Sequence, residues 1–293
     1  MRIGIIDIGS NTARLLVAGV NDEGIERIQE RRSFLGLGDA IERTGGLPEA
    51  KLAEIAKLAN SYAAAARSAG IDVLDVIVTA PGRQAGNGDE LVGRLQAATR
   101  ADVRVISCED EGRYAYEGAV AMLDLPPPDV LAVCDVGGGS SEVVVGLRDA
   151  GPVYLRSFDL GSMRLTSRFF EGGPTEARVE AARAFVRDRL EELAPPAPAA
   201  ALATGGTARA LRKVMGRTLD PGRLAEIIVE LAARSPRRVA STYDLDPSRA
   251  RTLLAGAIIL AETQRRLGVP FAVSRGGLRE GAALALARVA QAA

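Results

Sequence analysis

The chain has 293 residues, 47% of them hydrophobic, and its 37 Lys and Arg residues balance its 37 Asp and Glu residues. This length can bury a large core and form two domains, while the zero net charge gives no overall attraction to nucleic acid or an anionic membrane. The chain contains no histidine, which excludes Ser-His-Asp triads, Cys-His pairs and imidazole metal sites, so general base catalysis falls to Asp or Glu.

The first predicted element is a hairpin. The stretch RIGIIDIGSNTARLLVAGV (2–20) predicts a strand that ends at Asp7, a Gly-Ser-Asn turn and a second strand from Arg14. A similar stretch, CDVGGGSSEVVVG, occupies 134–146. When the two are aligned without a gap, Asp7 falls on Asp135 and Arg14 falls on Glu142. A repeat at this separation predicts a duplicated domain, each copy opening with its own hairpin.

The remainder of the first half alternates helices and strands, a pattern typical of α/β layers. Ser107 and Asp110 have the spacing of a capping box, which predicts a helix from Ser107 to about Leu123. The prolines at 126–128 end that helix and predict a domain boundary. The other elements predicted in this half are helices over 48–69 and 89–99 and strands over 72–80 and 102–107.

The second half is predicted to contain one more strand after its hairpin and then mainly helices. A proline-rich linker, APPAPAA (194–200), separates its two parts. The predicted elements are a strand over 153–160, helices over 162–170 and 175–193, a short strand over 200–203, the turn ATGGT, helices from Pro221 onward, a small strand over 270–274 and a last helix.

The two cysteines, Cys108 and Cys134, are too few for a thiolate zinc cluster or a disulfide framework. We therefore expect both to be small core residues. The sequence also has no recognisable signal peptide and no apolar run of membrane-spanning length. These features predict a soluble, cytoplasmic protein without a membrane partner.

Three glycine-rich turns follow apolar strands and suit the binding of phosphate. Glycine lets successive backbone N–H groups point into one concavity, and neighbouring hydroxyl groups add further donors. Taken singly, each turn is better explained as an ordinary turn. Three together, two of them copies, predict phosphate binding. The turns are Gly9, Ser10, Asn11 and Thr12; Gly137, Gly138, Gly139 and Ser140; and Gly205, Gly206 and Thr207.

Carboxylates flank two of these turns and would repel phosphate unless a cation lay between them. Asp7, Asp135 and Glu142 are the candidate ligands for a hydrated Mg²⁺ ion, which would bridge the carboxylates to phosphate oxygens. The competing interpretation is that Asp7 and Asp135 only stabilise their turns. The recurrence of the aspartate in both copies favours the metal.

Glu111 is the candidate general base. On a helix, its neighbours at i+4, i+7 and i+11 are Ala115, Gly118 and Met122, which places this carboxylate at the head of the apolar stripe. Residues Glu109 and Asp110 of the same turn need no function, because acidic residues complement a helix N-terminus. The pattern alone leaves catalysis and plain capping as equal alternatives for Glu111.

Several longer motifs resemble, in order and spacing, the exopolyphosphatase and guanosine pentaphosphate phosphohydrolase (Ppx/GppA) phosphatase family in its short two-domain form. The resemblance covers nearly the whole chain. The motifs are IDIGSNTARLLV, LGLGDAIERTGGL, VTAPGRQAGN, ISCEDEGRYAYEGA, CDVGGGSSEVVVG, LGSMRLTSRFF, ATGGTARAL and SRGGLREG.

The resemblance implies an α/β fold with two ribonuclease-H-like domains of the actin/hexokinase/Hsp70 superfold around a central cleft. The domains are expected at 1–125 and 126–293, with the last helix able to pack back on the first domain. The implied activity is Mg²⁺-dependent hydrolysis of phosphoanhydride bonds. Inorganic polyphosphate is the favoured substrate and guanosine pentaphosphate, a nucleotide of the stringent response, is a second one. A homodimer is also implied.

Matching the motifs residue by residue assigns roles within the site. Glu111 is implied to be the catalytic base, and Glu142 to help position water or metal. Arg14 and Arg83 are implied to aid the phosphate-binding turns. The chain departs from the family pattern at Pro81, Gly82, Cys108 and Gly112, which affects the expected shape of the site more than its chemistry.

Two other functions share this superfold. One is a sugar or acetate-type kinase, in which the same turns would grip ATP; the other is a non-catalytic sensor that binds polyphosphate or an alarmone without turnover. The stretch ISCEDEGRYAYEG favours hydrolysis, since a kinase would not need it there. Polyphosphate is favoured over guanosine pentaphosphate because aromatic residues make up only 4% of the chain and four arginines, Arg164, Arg168, Arg209 and Arg212, lie near the second and third turns.

Overall fold

The computed structural model describes residues 1–292 and divides into two compact units. Unit 1 comprises Met1–Met122 together with the chain from Gly276 onward, and unit 2 comprises Leu123–Arg275. The predicted boundary after residue 125 lies close to the first crossing. The last helix, which was expected to be able to pack back on the first domain, contributes to the core of unit 1; Ala293 lies outside the described residues.

The described elements follow the chain in this order: β1 (Arg2–Ile8), β2 (Thr12–Asn21), β3 (Gly24–Phe34), α1 (Leu37–Thr44), α2 (Glu49–Ser68), β4 (Val73–Val78), α3 (Ala80–Gln84), α4 (Gly88–Thr99), β5 (Asp102–Val105), α5 (Cys108–Val120), β6 (Val130–Val136), β7 (Ser141–Leu147), β8 (Gly151–Phe158), α6 (Ser162–Phe169), α7 (Glu176–Arg189), β9 (Ala200–Thr204), α8 (Gly205–Met215), β10 (Thr218–Leu219), α9 (Pro221–Ala232), α10 (Pro236–Tyr243), α11 (Pro247–Leu267), β11 (Phe271–Val273) and α12 (Leu278–Ala292).

Unit 1 is built on a mixed sheet with the order β3-β2-β1-β4-β5. The first three strands form an antiparallel meander, and β1, β4 and β5 run parallel. Because side chains alternate along a strand, Ile6 and Ile8 of β1 pack with α1, α2 and α4 on one face, whereas Ile3 and Ile5 pack with α5 and α12 on the other.

Unit 2 repeats this plan. Its sheet has the order β10-β11-β9-β6-β7-β8, with an antiparallel meander from β6 to β8 and the parallel strands β9 and β11 beside β6. Helices α6 to α11 contribute most of a large apolar core that contains Cys134 and Phe271. The duplication inferred from the two hairpins is therefore a duplication of a whole sheet.

Five elements were not predicted from the sequence: β3, α1, α3, α8 and β10. Strand β3 carries many charged residues and is mostly exposed at the sheet edge, so it lacks the apolar alternation of a buried strand. Helix α8 begins at Gly205. A turn was predicted there because two glycines lower the local helix propensity. Helix α5 ends at Val120 rather than Leu123, and Ser107 caps it as predicted by accepting from the Asp110 N–H.

A close backbone contact joins α5 to the segment that begins α12. A Cβ atom added to Gly118 would lie 2.0 Å from the carbonyl oxygen of Gly277, and one added to Gly281 would lie 1.9 Å from that of Tyr114. A Cβ on Gly276 would lie 1.8 Å from the Gly118 carbonyl oxygen. Only glycine permits such an approach, so these three positions fix α12 against α5.

Ion pairs hold the same helix to the meander of unit 1. Arg279, 4% exposed, donates to Glu30 over 2.8 Å, and Arg27 donates to the buried Glu280 over 2.8 Å. Each buried charge of α12 thus has an opposite charge on β3, which offsets the cost of its desolvation.

None of the helices within residues 1–292 combines the length and hydropathy that a membrane span requires.

Substituting Gly118 by Ala should destabilise the protein, because the new methyl group would overlap the Gly277 carbonyl. The expected loss is about 1–3 kcal/mol, typical of overpacking, and is measured as a lower urea midpoint. The matched control is Gly93→Ala in α4, where an added Cβ meets no atom within 4 Å and stability should rise by roughly 0.5–1 kcal/mol from helix propensity. Equal midpoints for the two variants would contradict the proposed tight contact.

Candidate active site

The two hairpin turns have the same geometry. Asp7 pairs in register with Arg14 across β1 and β2, and Asp135 pairs with Glu142 across β6 and β7, so residues that are equivalent in the gapless alignment occupy equivalent positions in the two hairpins. In each turn the first glycine donates its N–H across the turn over 3.0 Å: Gly9 to the Thr12 carbonyl, and Gly137 to the Ser140 carbonyl.

The helix that follows each meander binds the carbonyl groups of the turn. In unit 1 the Gly38 N–H donates to the Ser10 carbonyl over 2.8 Å, and in unit 2 the Met163 N–H donates to the Gly138 carbonyl over 3.0 Å. The Ser162 N–H also donates to the Gly137 carbonyl over 2.9 Å. Since these carbonyl oxygens are already hydrogen-bonded, the remaining N–H groups suit an anion.

A further glycine holds the second turn in place. A Cβ on Gly161 would lie 2.0 Å from the Gly138 carbonyl oxygen and 2.4 Å from the Gly139 nitrogen. The chain that leads into α6 therefore passes directly against the turn. Ser141 adds a hydrogen bond from its hydroxyl to the Leu160 carbonyl.

The first turn contains an unsatisfied donor. Asn11 is 7% exposed, and its Nδ2 atom has no hydrogen-bond partner among the described residues. A buried amide without a partner costs about 1–3 kcal/mol. An oxygen atom of a bound phosphate would satisfy this group.

Glu111 lies buried in the first turn of α5 and pairs with Arg83. The Arg83 Nη2 donates to Glu111 Oε2 over 2.9 Å, and Nη1 donates to the Ile106 carbonyl over 2.6 Å. Both predicted residues are thus brought together in unit 1. The burial predicted for Glu111 from the helical pattern is confirmed, with 9% of the residue exposed.

Asp7 and Arg14 lie on the sheet face that α5 covers. Asp7 lies on the same face of β1 as Ile3 and Ile5, which pack against α5 and α12. Asp7 is the penultimate residue of β1, and α5 starts beyond the carboxyl end of β5, which runs parallel to β4 and β1. Glu111 and Asp7 therefore share one face and one end of the sheet in unit 1. The buried Arg14 also donates to Thr12 Oγ1 over 3.4 Å.

In unit 2, Asp135 and Glu142 face each other on adjacent strands. Glu142 is 1% exposed and accepts from the Ser157 hydroxyl over 2.8 Å. A Cβ on Gly205 would lie 2.2 Å from Asp135 Oδ1, so the Asp135 carboxylate lies against the N-terminus of α8. The partial positive charge of a helix N-terminus stabilises such a carboxylate.

The third glycine-rich segment is a helix start rather than a turn. Gly205 and Gly206 form the first turn of α8, with Gly205 at a φ of +83°. Thr207, predicted to bind substrate, is fully buried, and a Cβ on Gly256 of α11 would lie 2.7 Å from its Oγ1. Its side chain packs against α11, and its Oγ1 has no hydrogen-bond partner among the described residues, so the assignment of Thr207 to substrate binding stays a prediction.

The four arginines predicted to form a phosphate track have different surroundings. Arg209 donates to the Gly205 carbonyl over 3.2 Å, and Arg164 pairs with Asp159 over 3.2 Å. Arg168 lies over the rings of Phe169 and Phe185. Arg209 thus contacts the third glycine-rich segment through its side chain, and the Arg164 backbone N–H donates to the Gly138 carbonyl over 3.4 Å.

The cysteines differ in their environment. Cys134 is fully buried in the core of unit 2, and burial, with the nearby Asp135 and Glu142 charges, raises the pKa of its thiol, so it is a core residue as predicted. Cys108 is only partly buried at the start of α5.

The departures at 81–82 have a packing reason. Pro81 lies in the first turn of α3, where proline is favoured. A Cβ on Gly82 would lie 2.8 Å from the Val105 side chain, and a Cβ on Gly88 would lie 2.4 Å from the Gly82 carbonyl oxygen. Glycine at both positions lets α3 and α4 pack together near Arg83.

The acidic residues predicted to bind metal are divided between the units. Asp135 and Glu142 form a pair in unit 2, whereas Asp7 belongs to unit 1. Within residues 1–292, no group of three acidic or sulfur-containing side chains is placed to hold a metal ion. Mg²⁺ commonly uses one or two protein carboxylates and completes its shell with water and phosphate, so the Asp135–Glu142 pair suits it chemically.

Sequence reasoning missed several residues that shape the site. Ser157 bonds Glu142, and Gly161 supports the second turn. Thr79 lies beside the first turn, since a Cβ on Gly9 would be 3.6 Å from its Oγ1. Gly161 precedes the helix start in LGSMRLTSRFF, which is a recognisable signal; Ser157 has none, because its role depends on strand register.

Comparison with known proteins places these features in a family. The model of the Ppx/GppA phosphatase family matches residues 16–288, and the chain therefore belongs to the Ppx/GppA phosphatase family. The chain is 28% identical to Exopolyphosphatase 1 of Mycobacterium tuberculosis, with 96% of this chain and 87% of that protein covered. It is 27% identical to Exopolyphosphatase 2 of the same organism, with 98% of each covered.

A solved structure agrees. The PPX-GPPA enzyme of Aquifex aeolicus is 28% identical over 96% of this chain and 98% of that chain, with a TM-score of 0.80. The family resemblance, the fold of two ribonuclease-H-like α/β domains and the assignment as a phosphohydrolase, all predicted from the sequence, are confirmed.

Replacing Gly205 by Ala should abolish phosphohydrolase activity, because the methyl group would displace the Asp135 carboxylate. The positive φ adds a strain of about 1–2 kcal/mol, which the control Gly216→Ala isolates. Gly216 ends the same helix at a φ of +93°, and an added Cβ meets nothing within 4 Å. Both variants should melt at similarly lowered temperatures, but only Gly205→Ala should be inactive. Full activity of folded Gly205→Ala would exclude this role for Asp135.

Proposed function

We propose that the protein is an exopolyphosphatase that releases terminal phosphate from inorganic polyphosphate in a Mg²⁺-dependent reaction. The observation that carries the proposal is the pair of matched turns, in which hydrogen bonds occupy the carbonyl groups and leave N–H groups for phosphate oxygens. Membership of a phosphatase family and similarity to two proteins named exopolyphosphatases support it. The family assignment gives no support to the kinase alternative.

Polyphosphate is preferred over guanosine pentaphosphate on the basis of composition. The chain has no tryptophan, and aromatic residues make up 4% of it, so few rings are available to stack on a guanine base. A chain of phosphates requires only N–H donors and arginines. Guanosine pentaphosphate is the second substrate to test.

Unit 1 supplies the base for this reaction. Water must lose a proton as it attacks the terminal phosphorus atom, and Glu111 is the buried carboxylate that would accept it. Arg83, 2.9 Å away, fixes the orientation of the carboxylate. Asn11 Nδ2 and the N–H groups of the first turn would bind non-bridging phosphate oxygens.

Unit 2 supplies a phosphate-binding turn and the paired carboxylates. Asp135 and Glu142 would hold the Mg²⁺ ion. When bound, the ion would neutralise charge on the phosphate oxygens. The hydroxyl of Ser157 fixes one oxygen of Glu142. The N–H groups of Gly138 and Gly139 would donate hydrogen bonds to the phosphate oxygens.

The proposal is tested by measuring phosphate release from polyphosphate, guanosine pentaphosphate and ATP, with and without Mg²⁺. We expect polyphosphate to be hydrolysed fastest and only with Mg²⁺. In the same assay Glu111→Gln should lower kcat by roughly 10²- to 10⁴-fold with little change in KM, since the amide keeps the size of the side chain but cannot accept the proton.

The matched control is Glu109→Gln, an exposed glutamate in the first turn of the same helix. It loses the same charge and should retain full activity. No phosphate release by the wild-type enzyme from any of the three substrates would overturn the proposal, and normal turnover by Glu111→Gln would remove the base from it.

Asp135→Asn should raise the Mg²⁺ concentration required for half-maximal activity, because a charged ligand becomes neutral. The expected increase in that Mg²⁺ concentration is on the order of ten-fold, the lower end of the range for changes around a metal site. Asp129→Asn, at the opposite end of the same strand and 88% exposed, serves as the control. A titration with identical Mg²⁺ dependence for the two variants would exclude Asp135 from the metal site.

A further inference from the structure

Unit 2 contains a cluster of arginines that the proposed reaction does not use. Glu262 of α11 is buried, and it accepts hydrogen bonds from Arg183 Nη1 over 3.0 Å, Arg187 Nε over 2.9 Å and Arg265 Nε over 3.0 Å. Arg187 also pairs with the exposed Glu180 over 3.2 Å. Three positive charges thus face two negative ones, so the cluster has an excess of positive charge.

A cavity of about 390 Å³ lies against this cluster, a volume within the range of small-molecule sites. The three arginines form part of its wall, and the remainder is largely apolar, with Pro221 and Pro270 among the lining residues. A wall with both characters suits a molecule that bears phosphate together with a less polar portion.

The cavity is separated from the hairpin turn by the length of the sheet. Pro270 precedes β11, which runs parallel to β9, and β9 runs parallel to β6. Asp135 lies near the carboxyl end of β6, so Pro270 lies at the amino ends of these strands. A ligand in this cavity therefore occupies a different place from one at Gly137–Ser140.

The arginines have donors to spare. A guanidinium group carries five N–H donors, and within residues 1–292 Arg183 and Arg265 each direct one nitrogen to Glu262 and make no other hydrogen bond. Arg183 is mostly buried, with 20% of its side chain exposed, whereas Arg265 is 61% exposed. Glu262 fixes the guanidinium groups in place before a ligand arrives, which lowers the entropic cost of binding.

Burial opposes the ionised form of Glu262, but the hydrogen bonds from Arg187 and Arg265 outweigh it and lower the pKa of this carboxyl. The carboxylate therefore stays charged and keeps the cluster ordered at neutral pH. A purely apolar residue at this helix position would pack against α7 at a smaller desolvation cost, so packing alone does not account for the arrangement.

We infer that the cavity beside Arg183, Arg187 and Arg265 is a second binding site for a phosphate-bearing small molecule. The guanidinium groups would bind phosphate oxygens through paired N–H donors, and the apolar wall would contact the remainder of the ligand. The site lies within unit 2 and does not depend on hydrolysis. Inorganic oligophosphate and nucleotides share the phosphate groups that the arginines would bind, whereas only a nucleotide has a less polar portion for the apolar wall, and the test distinguishes them.

The experiment is hydrogen–deuterium exchange on the full chain carrying Glu111→Gln, which limits turnover, with inorganic tripolyphosphate or ATP as the probe. Protection is followed separately at 221–225 and 261–270, which border the cavity, and at 134–142, which forms the hairpin turn. We expect slower exchange at the two cavity segments with at least one probe. Protection by tripolyphosphate identifies an oligophosphate site, and protection by ATP alone identifies a nucleotide site.

Adding Arg265→Ala should raise the probe concentration that gives half-maximal protection of the cavity segments by about ten-fold, the effect of losing one charge-assisted hydrogen bond. Protection of 134–142 should stay unchanged. Arg237→Ala, an exposed arginine of α10, removes the same charge and should behave like the parent. Arg183→Gln gives an independent check if Arg265→Ala lowers the melting temperature.

Absence of protection at 221–225 and 261–270 with both probes would overturn the inference, as would parent-like binding by both cavity variants. Protection at 134–142 without protection at the cavity would leave the proposed function intact and remove only the second site. Loss of protection at 134–142 with protection at the cavity would count against the proposed function alone.

Discussion

The contact between the backbones of α5 and the α12 segment is the constraint on which unit 1 depends. Gly118, Gly276 and Gly281 permit an approach that no side chain would allow, and the apolar face of α12 then closes the core above β1 and β2. Because α5 carries Glu111 in its first turn, the same contact fixes the position of the candidate base. Packing and chemistry in this unit therefore share one interface, which explains why glycine recurs at positions distant from the phosphate-binding turn.

The two units use one structural device for different chemical purposes. In both, an aspartate is the penultimate residue of the first hairpin strand, and a glycine N–H donates across the turn that follows. Backbone N–H groups of the next helix then donate to carbonyl groups of that turn. The residue opposite the aspartate differs: Arg14 in unit 1 and Glu142 in unit 2. One copy therefore has a compensated charge beside its turn, and the other has two like charges, which are costly together unless a cation joins them.

The sequence predicted most of the fold because its strong signals are local. The repeated hairpin sequence predicted the duplication, and the helical pattern predicted the burial of Glu111. What it could not predict depends on tertiary contacts. Thr207 is fully buried against Gly256 of α11, 49 positions later in the chain, and no local pattern indicates this contact. Strand β3 is hydrophilic and is held by backbone pairing with β2. The return of α12 to unit 1 is a long-range contact that no local pattern encodes.

The path of the chain through the two units has a consequence for synthesis. Unit 2 is one continuous segment, whereas unit 1 needs residues from both ends, because Ala282, Ala283 and Ala287 of α12 fill its core. As the polypeptide emerges from the ribosome, the whole of unit 2 is available before unit 1 has its final helix. Unit 2 can therefore complete its folding before unit 1. Until α12 is synthesised, the face of β1 and β2 that α12 covers stays exposed. During that interval, binding by a chaperone would protect this face from aggregation.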